Sequence, residues 1–276
     1  MVRLLISVAS EAEARAALEG GADIIDAKDP AHGPLGAVST ATLREIVRAV
    51  DGRLPVSAAL GDAKDENAVS LATRRAAAER VAYVKVGFAG VADADRVESL
   101  IAAAVAGAGM VSASAGVIAV AYADASAINV ASLSPWWLVE AAERAGAVGI
   151  LLDTAVKKGA ASSGGSDSGL FHAMSQGDVA AWIRHAHGAD LTVAVAGGLA
   201  GADLSVLRAL GADVVGVRGA ACEGGDRRGQ VSRANVAALA RSAGRRSWAS
   251  VAIAARWARD GDAPGRETAT SRAALP

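Results

Sequence analysis

The sequence predicts a single (β/α)8 barrel. Three observations predict it. Eight short β-rich runs alternate with alanine-rich helical stretches; three helical stretches end in a glycine turn (EGGAD, RAGAV, ALGAD) that feeds the next apolar run; and 276 residues suit eight such units. An open doubly wound sheet is the alternative. The first strand lacks a G-x-G-x-x-G turn behind it, so dinucleotide binding has no support.

The strands are expected at residues 4–8 (LLISV), 23–28 (DIIDAK), 55–60 (PVSAAL), 82–88 (AYVKVGF), 117–123 (VIAVAYA), 148–153 (VGILLD), 191–197 (LTVAVAG) and 213–219 (DVVGVRG). Their near-continuous apolar character is what a sheet covered on both faces requires. Helices are expected at 10–21, 39–50, 93–107, 134–146 and 201–211; several begin at Ser or Asp and end at Gly, as helix termini prefer. Two segments fall outside this alternation. Residues 157–169 (KKGAASSGGSDSG) read as a Gly/Ser loop suited to a lid. Residues 246–276 read as a C-terminal extension, a final helix (SWASVAIAARWAR) and then a polar tail, appended to a catalytic barrel at 1–245.

Composition removes several classes of function. A formal net charge of -1 offers no concentrated positive field for nucleic acid or an anionic membrane. No apolar run is long enough for a membrane span or shaped as a secretory signal, and the single cysteine, Cys222, fits a reducing cytoplasm and reads as a small buried residue. The four histidines, His32, His172, His185 and His187, show no metal-ligand spacing, so neither a metal nor a cofactor is expected. The expected partner is a small anionic substrate bound locally; assembly as a homo-oligomer is left open.

Lysine is the informative residue. Only Lys28, Lys64, Lys85, Lys157 and Lys158 occur, so arginine supplies nearly all the positive charge. Arginine stays protonated, whereas a lysine can lose its proton and act as a nucleophile. Reactive groups of such barrels lie at the carboxyl ends of strands. There the sequence places Asp26 and Lys28 on one face of strand two, Lys85 near the end of strand four, and Asp153 with Lys157 beyond strand six. A lone lysine at a strand end is ordinarily a solvated charge, and the aspartates are ordinarily its salt-bridge partners. Several amines and carboxylates at one mouth suit Schiff-base chemistry instead: one lysine attacks a carbonyl as the free amine and a second group moves protons.

Glycines lie directly after strands seven and eight, in AVAGGLAGADL and GVRGAACEGGDRRG. Barrels often hold phosphate at these two loops, and glycine lets backbone amides approach an anion. Gly197, Gly198, Arg218 and Gly219 are the expected phosphate-binding residues, with Arg227 as a further source of charge. The Pro- and Gly-rich turn KDPAHGPLGAV after strand two is expected to lie over the same mouth. Asp124, after strand five, carries modest weight because its ordinary duty there is to cap the next segment.

The segments LLISV, EGGADIIDAKDP, GPLGAV, YVKVGF, AVAYADA, LLDTAVKKG and DVVGVRGAACEGGDR resemble the (5-formylfuran-3-yl)methyl phosphate synthase family, also called 4-(hydroxymethyl)-2-furancarboxaldehyde-phosphate synthase. The resemblance covers about Leu4 to Val231. It implies a (β/α)8 lyase that condenses two glyceraldehyde 3-phosphate molecules into a phosphorylated furan aldehyde, with release of phosphate and water, for methanofuran-type cofactors. It further implies that Lys28 forms the Schiff base, that Lys85 accepts the proton, and that Asp26, Asp153 and Lys157 surround them. Strand two departs from the family pattern, reading DAKDP where valine more often precedes and asparagine follows the lysine. A class I aldolase that stops at a sugar phosphate, and a non-catalytic barrel that binds a phosphometabolite, are the competing readings.

Overall fold

Alternation of side chains along the strands sets the architecture. In the first strand Leu4, Ile6 and Val8 turn outward into the main core, while Leu5 turns inward to a separate cluster. The sixth repeats this, with Ile150 and Leu152 outward and Leu151 inward. Strands apolar on both faces need helices outside and side chains within. The computed structural model satisfies both: β1 (Arg3–Val8), β2 (Ile24–Ala27), β3 (Val56–Asp62), β4 (Tyr83–Gly87), β5 (Gly116–Tyr122), β6 (Gly149–Asp153), β7 (Thr192–Val195) and β8 (Val214–Val217) pair in parallel in chain order, and β8 pairs with β1 to close the barrel. The structure describes residues 2–111, 115–125, 131–156 and 169–244. Of the expected lid at 157–169 only Gly169 is among the described residues; the rest of it, including Lys157, and the extension at 246–276 lie outside them.

The outer ring comprises α1 (Glu11–Gly20), α2 (Thr40–Val50), α3 (Glu66–Ala78), α4 (Ala94–Gly109), α5 (Pro135–Arg144), the short α6 (Leu170–Ala173), α7 (Gln176–Gly188), α8 (Gly201–Leu210) and α9 (Arg233–Ser242). Their starts agree with the caps read in the sequence. Ser10, Ser39, Asp93 and Ser134 each accept a first-turn amide of the helix they precede. Gly21 and Gly211 close α1 and α8 with φ of 94° and 95°, a left-handed conformation that glycine takes without a Cβ clash. One helix end differs from expectation: α4 continues past Gly107 to Gly109. Gly107 serves packing instead, since a Cβ there would lie within 3 Å of the backbone of Ser70 on α3. Among the described residues no helix is long and apolar enough to cross a membrane.

Candidate active site

A parallel barrel brings every strand's carboxyl end to one face, so residues far apart in sequence converge there. Asp26 is inward on β2 and wholly buried. Pairing of β2 with β1 and β3 sets Ser7 and Ser57 beside it, and both hydroxyls donate to its carboxylate, at 2.9 and 2.6 Å. The Lys85 ammonium, carried inward on β4, donates to Asp26 Oδ2 at 2.5 Å. Burial alone would push the Asp26 carboxyl upward; the nearby charges of Lys85 and Lys28, with the hydrogen bonds from Lys85 and Ser57, outweigh it and hold the group below the usual carboxylate range. Lys28 comes directly after β2, is 8% exposed, and lines the same cavity as Lys85 and Asp153. The strand-end residues predicted from sequence, other than Lys157, are therefore gathered at one mouth.

Asp153 ends β6, buried, and its Oδ1 accepts the amide of Thr154 at 2.8 Å. Asp124 has a clear local duty: its two oxygens accept the amides of Ala155 and Val156, at 2.7 and 2.8 Å, and so fix the chain leaving β6. Tyr122 is paired in register with Asp153 and donates to Asp62 at 2.8 Å. Burial first, then the carboxylate of Asp62, pushes its hydroxyl far above the ordinary tyrosine range. Tyr122 is therefore a neutral hydrogen-bond donor. Lys64 stays exposed beyond β3, a solvated charge.

The glycine loops line the cavity as expected through Gly197, Gly198 and Gly219, and φ values of 114° and 66° at Gly197 and Gly198 explain why glycine stands at both. Arg218 has protein partners that the sequence did not indicate. It too lines the cavity, yet its guanidinium is 7% exposed and directs its donors at Glu13 (2.8 and 3.2 Å) and at the carbonyls of Ser7, Arg227 and Gly229. A side chain with all five N–H groups so engaged braces the β8 loop against the start of α1. Arg227 is the arginine that faces the mouth: half-buried, donating to Gly33 O at 3.4 Å, and held below its ordinary range by burial and by Arg218 despite the opposing effect of Asp153.

That contact ties the β8 loop to the turn after β2, where Pro30–His32 form a 3-10 turn capped by Asp29. Leu35 of the same segment is buried against Ala59, Val120 and Tyr122, so this turn lies over the mouth in agreement with its composition. The whole site opens as a cavity of about 540 Å³, within the range of small-ligand pockets. Among the described residues no cluster of His, Cys, Asp and Glu is arranged to hold a metal. His185 and His187 face Glu140 and Asp213 instead, and Cys222 is buried where burial raises its thiol.

Sequence reasoning missed Ser7, Ser57, Tyr122 and Glu13. The signal was present for the serines, which break otherwise apolar strands at inward positions; Glu13 reads only as an ordinary first-turn acid.

A closed (β/α)8 barrel with lysines and carboxylates buried at its carboxyl end defines the class, a barrel protein with its polar site where the enzymes of this fold carry theirs. The chain belongs to the 4-HFC-P synthase family, whose profile matches residues 4–240. It is 39% identical over 226 residues to the (5-formylfuran-3-yl)methyl phosphate synthase of Methanopyrus kandleri, covering 82% of this chain and 91% of that one. It is 37% identical over 240 residues to the protein of the same name from Archaeoglobus fulgidus, covering 86% and 97%. Among solved structures it resembles phosphoribosyl anthranilate isomerase from Thermus thermophilus (TM-score 0.54, 16% identity, 87% of this chain and 98% of that one) and 2,3-dimethylmalate lyase (TM-score 0.57, 17% identity, 98% and 86%). At such identities these structures speak for the fold alone.

Proposed function

We propose that this enzyme condenses two glyceraldehyde 3-phosphate molecules into (5-formylfuran-3-yl)methyl phosphate, through a Schiff base on Lys28, with release of one phosphate and two waters. The observation that carries the reading is the shared cavity of Lys28 and Lys85 around Asp26, within a chain whose relatives bear that enzyme's name. Lys28 attacks the carbonyl carbon of one triose phosphate as the free amine, and water leaves to give the iminium. Lys85, oriented by Asp26, exchanges the proton on the adjacent carbon and so forms the enamine. The enamine expels its phosphate, and the carbon that carried it attacks the carbonyl of the second triose phosphate, which the same proton exchange has converted to its ketone form and which keeps its phosphomethyl group as the branch. Ring closure, loss of two waters and hydrolysis of the iminium, which frees Lys28 and takes back the water of its formation, complete the sequence, drawn forward by the aromaticity of the furan. The loops at Gly197, Gly198 and Gly219 hold the retained phosphate, with Arg227 adding charge at the mouth.

Borohydride reduction in the presence of glyceraldehyde 3-phosphate, followed by peptide mass spectrometry, tests this. The expected result is a reduced adduct on the peptide carrying Lys28, absent in Lys28→Arg, together with inorganic phosphate and a furan-aldehyde absorbance in the unreduced reaction. Lys85→Arg keeps the charge and removes the proton carrier, so it should trap adduct while forming product slowly. A wild-type protein that yields no adduct, or a sugar phosphate without free phosphate, refutes the proposal.

A further inference from the structure

The interior of a (β/α)8 barrel is normally filled by layers of bulky branched side chains, so that it is a core and no pore. Here several inward positions are small: Ser57, Ala194, Ala196 and Gly216 all line the cavity. The cavity accordingly does not stop below the lysines. It continues to Arg3 and Thr192 at the amino ends of β1 and β7, both exposed, while Ile118, Ala194 and Gly216 in mid-barrel are only half-buried. Its lining changes with depth. Ser7, Ser57, Lys28, Lys85 and Asp153 form a polar wall toward the mouth; Leu5, Ile24, Ile118, Leu151, Ala194 and Val214 form an apolar wall beneath it.

We infer that the half of the barrel beneath the lysines is a binding chamber for a small, neutral, planar ring. The inference rests on the proposed function for the identity of that ring, the furan as it forms. A triose phosphate carries hydroxyls that the polar wall can satisfy. Each loss of water or phosphate removes such groups, until the product offers a flat ring with little to hydrogen-bond. An apolar wall facing the reacting carbon is then the surface that gains contact as the reaction proceeds, because burial of apolar area favours the later species over the earlier ones. Aliphatic-lined cavities in proteins take up benzene in this way.

The probe is 2-methylfuran, which has the ring and lacks the aldehyde, so it cannot form a Schiff base. Its binding to the full chain is followed by ligand-observed NMR. Wild type should bind it, and Ala194→Leu, which fills the apolar wall, should weaken binding at least about tenfold, equivalent to about 1.4 kcal/mol. The same variant should lower kcat for triose phosphate by about tenfold while KM stays within about twofold, the split expected when a late species loses its contacts. Gly216→Ala is the second variant should Ala194→Leu fail to fold; its added Cβ would sit 3.3 Å from Ala196 Cβ and 3.5 Å from Leu5 Cδ2, a tight contact that narrows the same chamber, and it should move both readouts in the same direction by less. Furan product from wild type without 2-methylfuran binding overturns the chamber, as does loss of 2-methylfuran binding in a variant whose kcat is unchanged. Binding of 2-methylfuran with no furan product refutes the synthase reading and leaves the chamber standing.

Discussion

Asp26 holds a negative charge at full burial because three donors converge on it, Ser7, Ser57 and Lys85. Removing one partner of a buried pair leaves the other uncompensated, at a cost of about 3–5 kcal/mol. Asp26→Asn should lose stability on that scale in denaturant melts at neutral pH. The pH dependence has a definite sign. The folded carboxyl titrates below the ordinary 3.8, so its stabilisation is complete above that value and disappears as pH falls through the lower, folded one. The gap between wild type and Asp26→Asn should therefore hold steady from pH 7 to about 4 and narrow below; a gap that widens with acid contradicts the ion pair. Asp26 and Lys28 were legible in the sequence because a period of two is local information. The fate of Arg218 was not, because Glu13, which occupies it, lies 205 residues away and the chain itself does not say which acid will meet it.

The packing of α3 against α4 turns on one glycine. Alanine is the better helix former by about 1 kcal/mol, so helix propensity alone says Gly107→Ala stabilises. Close approach says the reverse, since the added Cβ would meet Ser70 O and Cα, backbone atoms that move only if the two helices separate. Overpacking of this kind costs about 1–3 kcal/mol, and the variant should show a lower denaturation midpoint by more than its propensity gain. An unchanged or raised midpoint means that α3 and α4 part without penalty. The same glycine marks the limit of reading elements from sequence. All eight strands were legible because an apolar run bounded by turn residues has few other uses, and the glycines ending α1 and α8 were legible because the chain had to reverse there. Gly107 looks identical in the sequence, and only the neighbouring helix distinguishes a close approach from a stop.

Closure of the barrel makes the first and last elements depend on one another. β1 pairs with β8, and α9 packs across that seam onto α1, α8 and β1, burying Val236, Leu239, Ala240 and Ala243. The fit is tight: Gly20 approaches Val236 so closely that a Cβ on Gly20 would fall 2.5 Å from that side chain. Burying the valine and leucine alone contributes about 3–6 kcal/mol, a large part of the 5–15 kcal/mol typical of a whole domain. A chain ending at residue 231 lacks α9, exposes the outer face of β1, and should show no cooperative thermal transition by circular dichroism. A chain ending at residue 245 keeps every element that closes the ring. It should melt within about 4 °C of the full chain, a shift that corresponds to about 1–2 kcal/mol for a domain of this size, and should still trap substrate on Lys28. Cooperative unfolding of the shorter chain would show that the seam needs no cover, and collapse of the longer one would place part of the folding unit in residues 246–276.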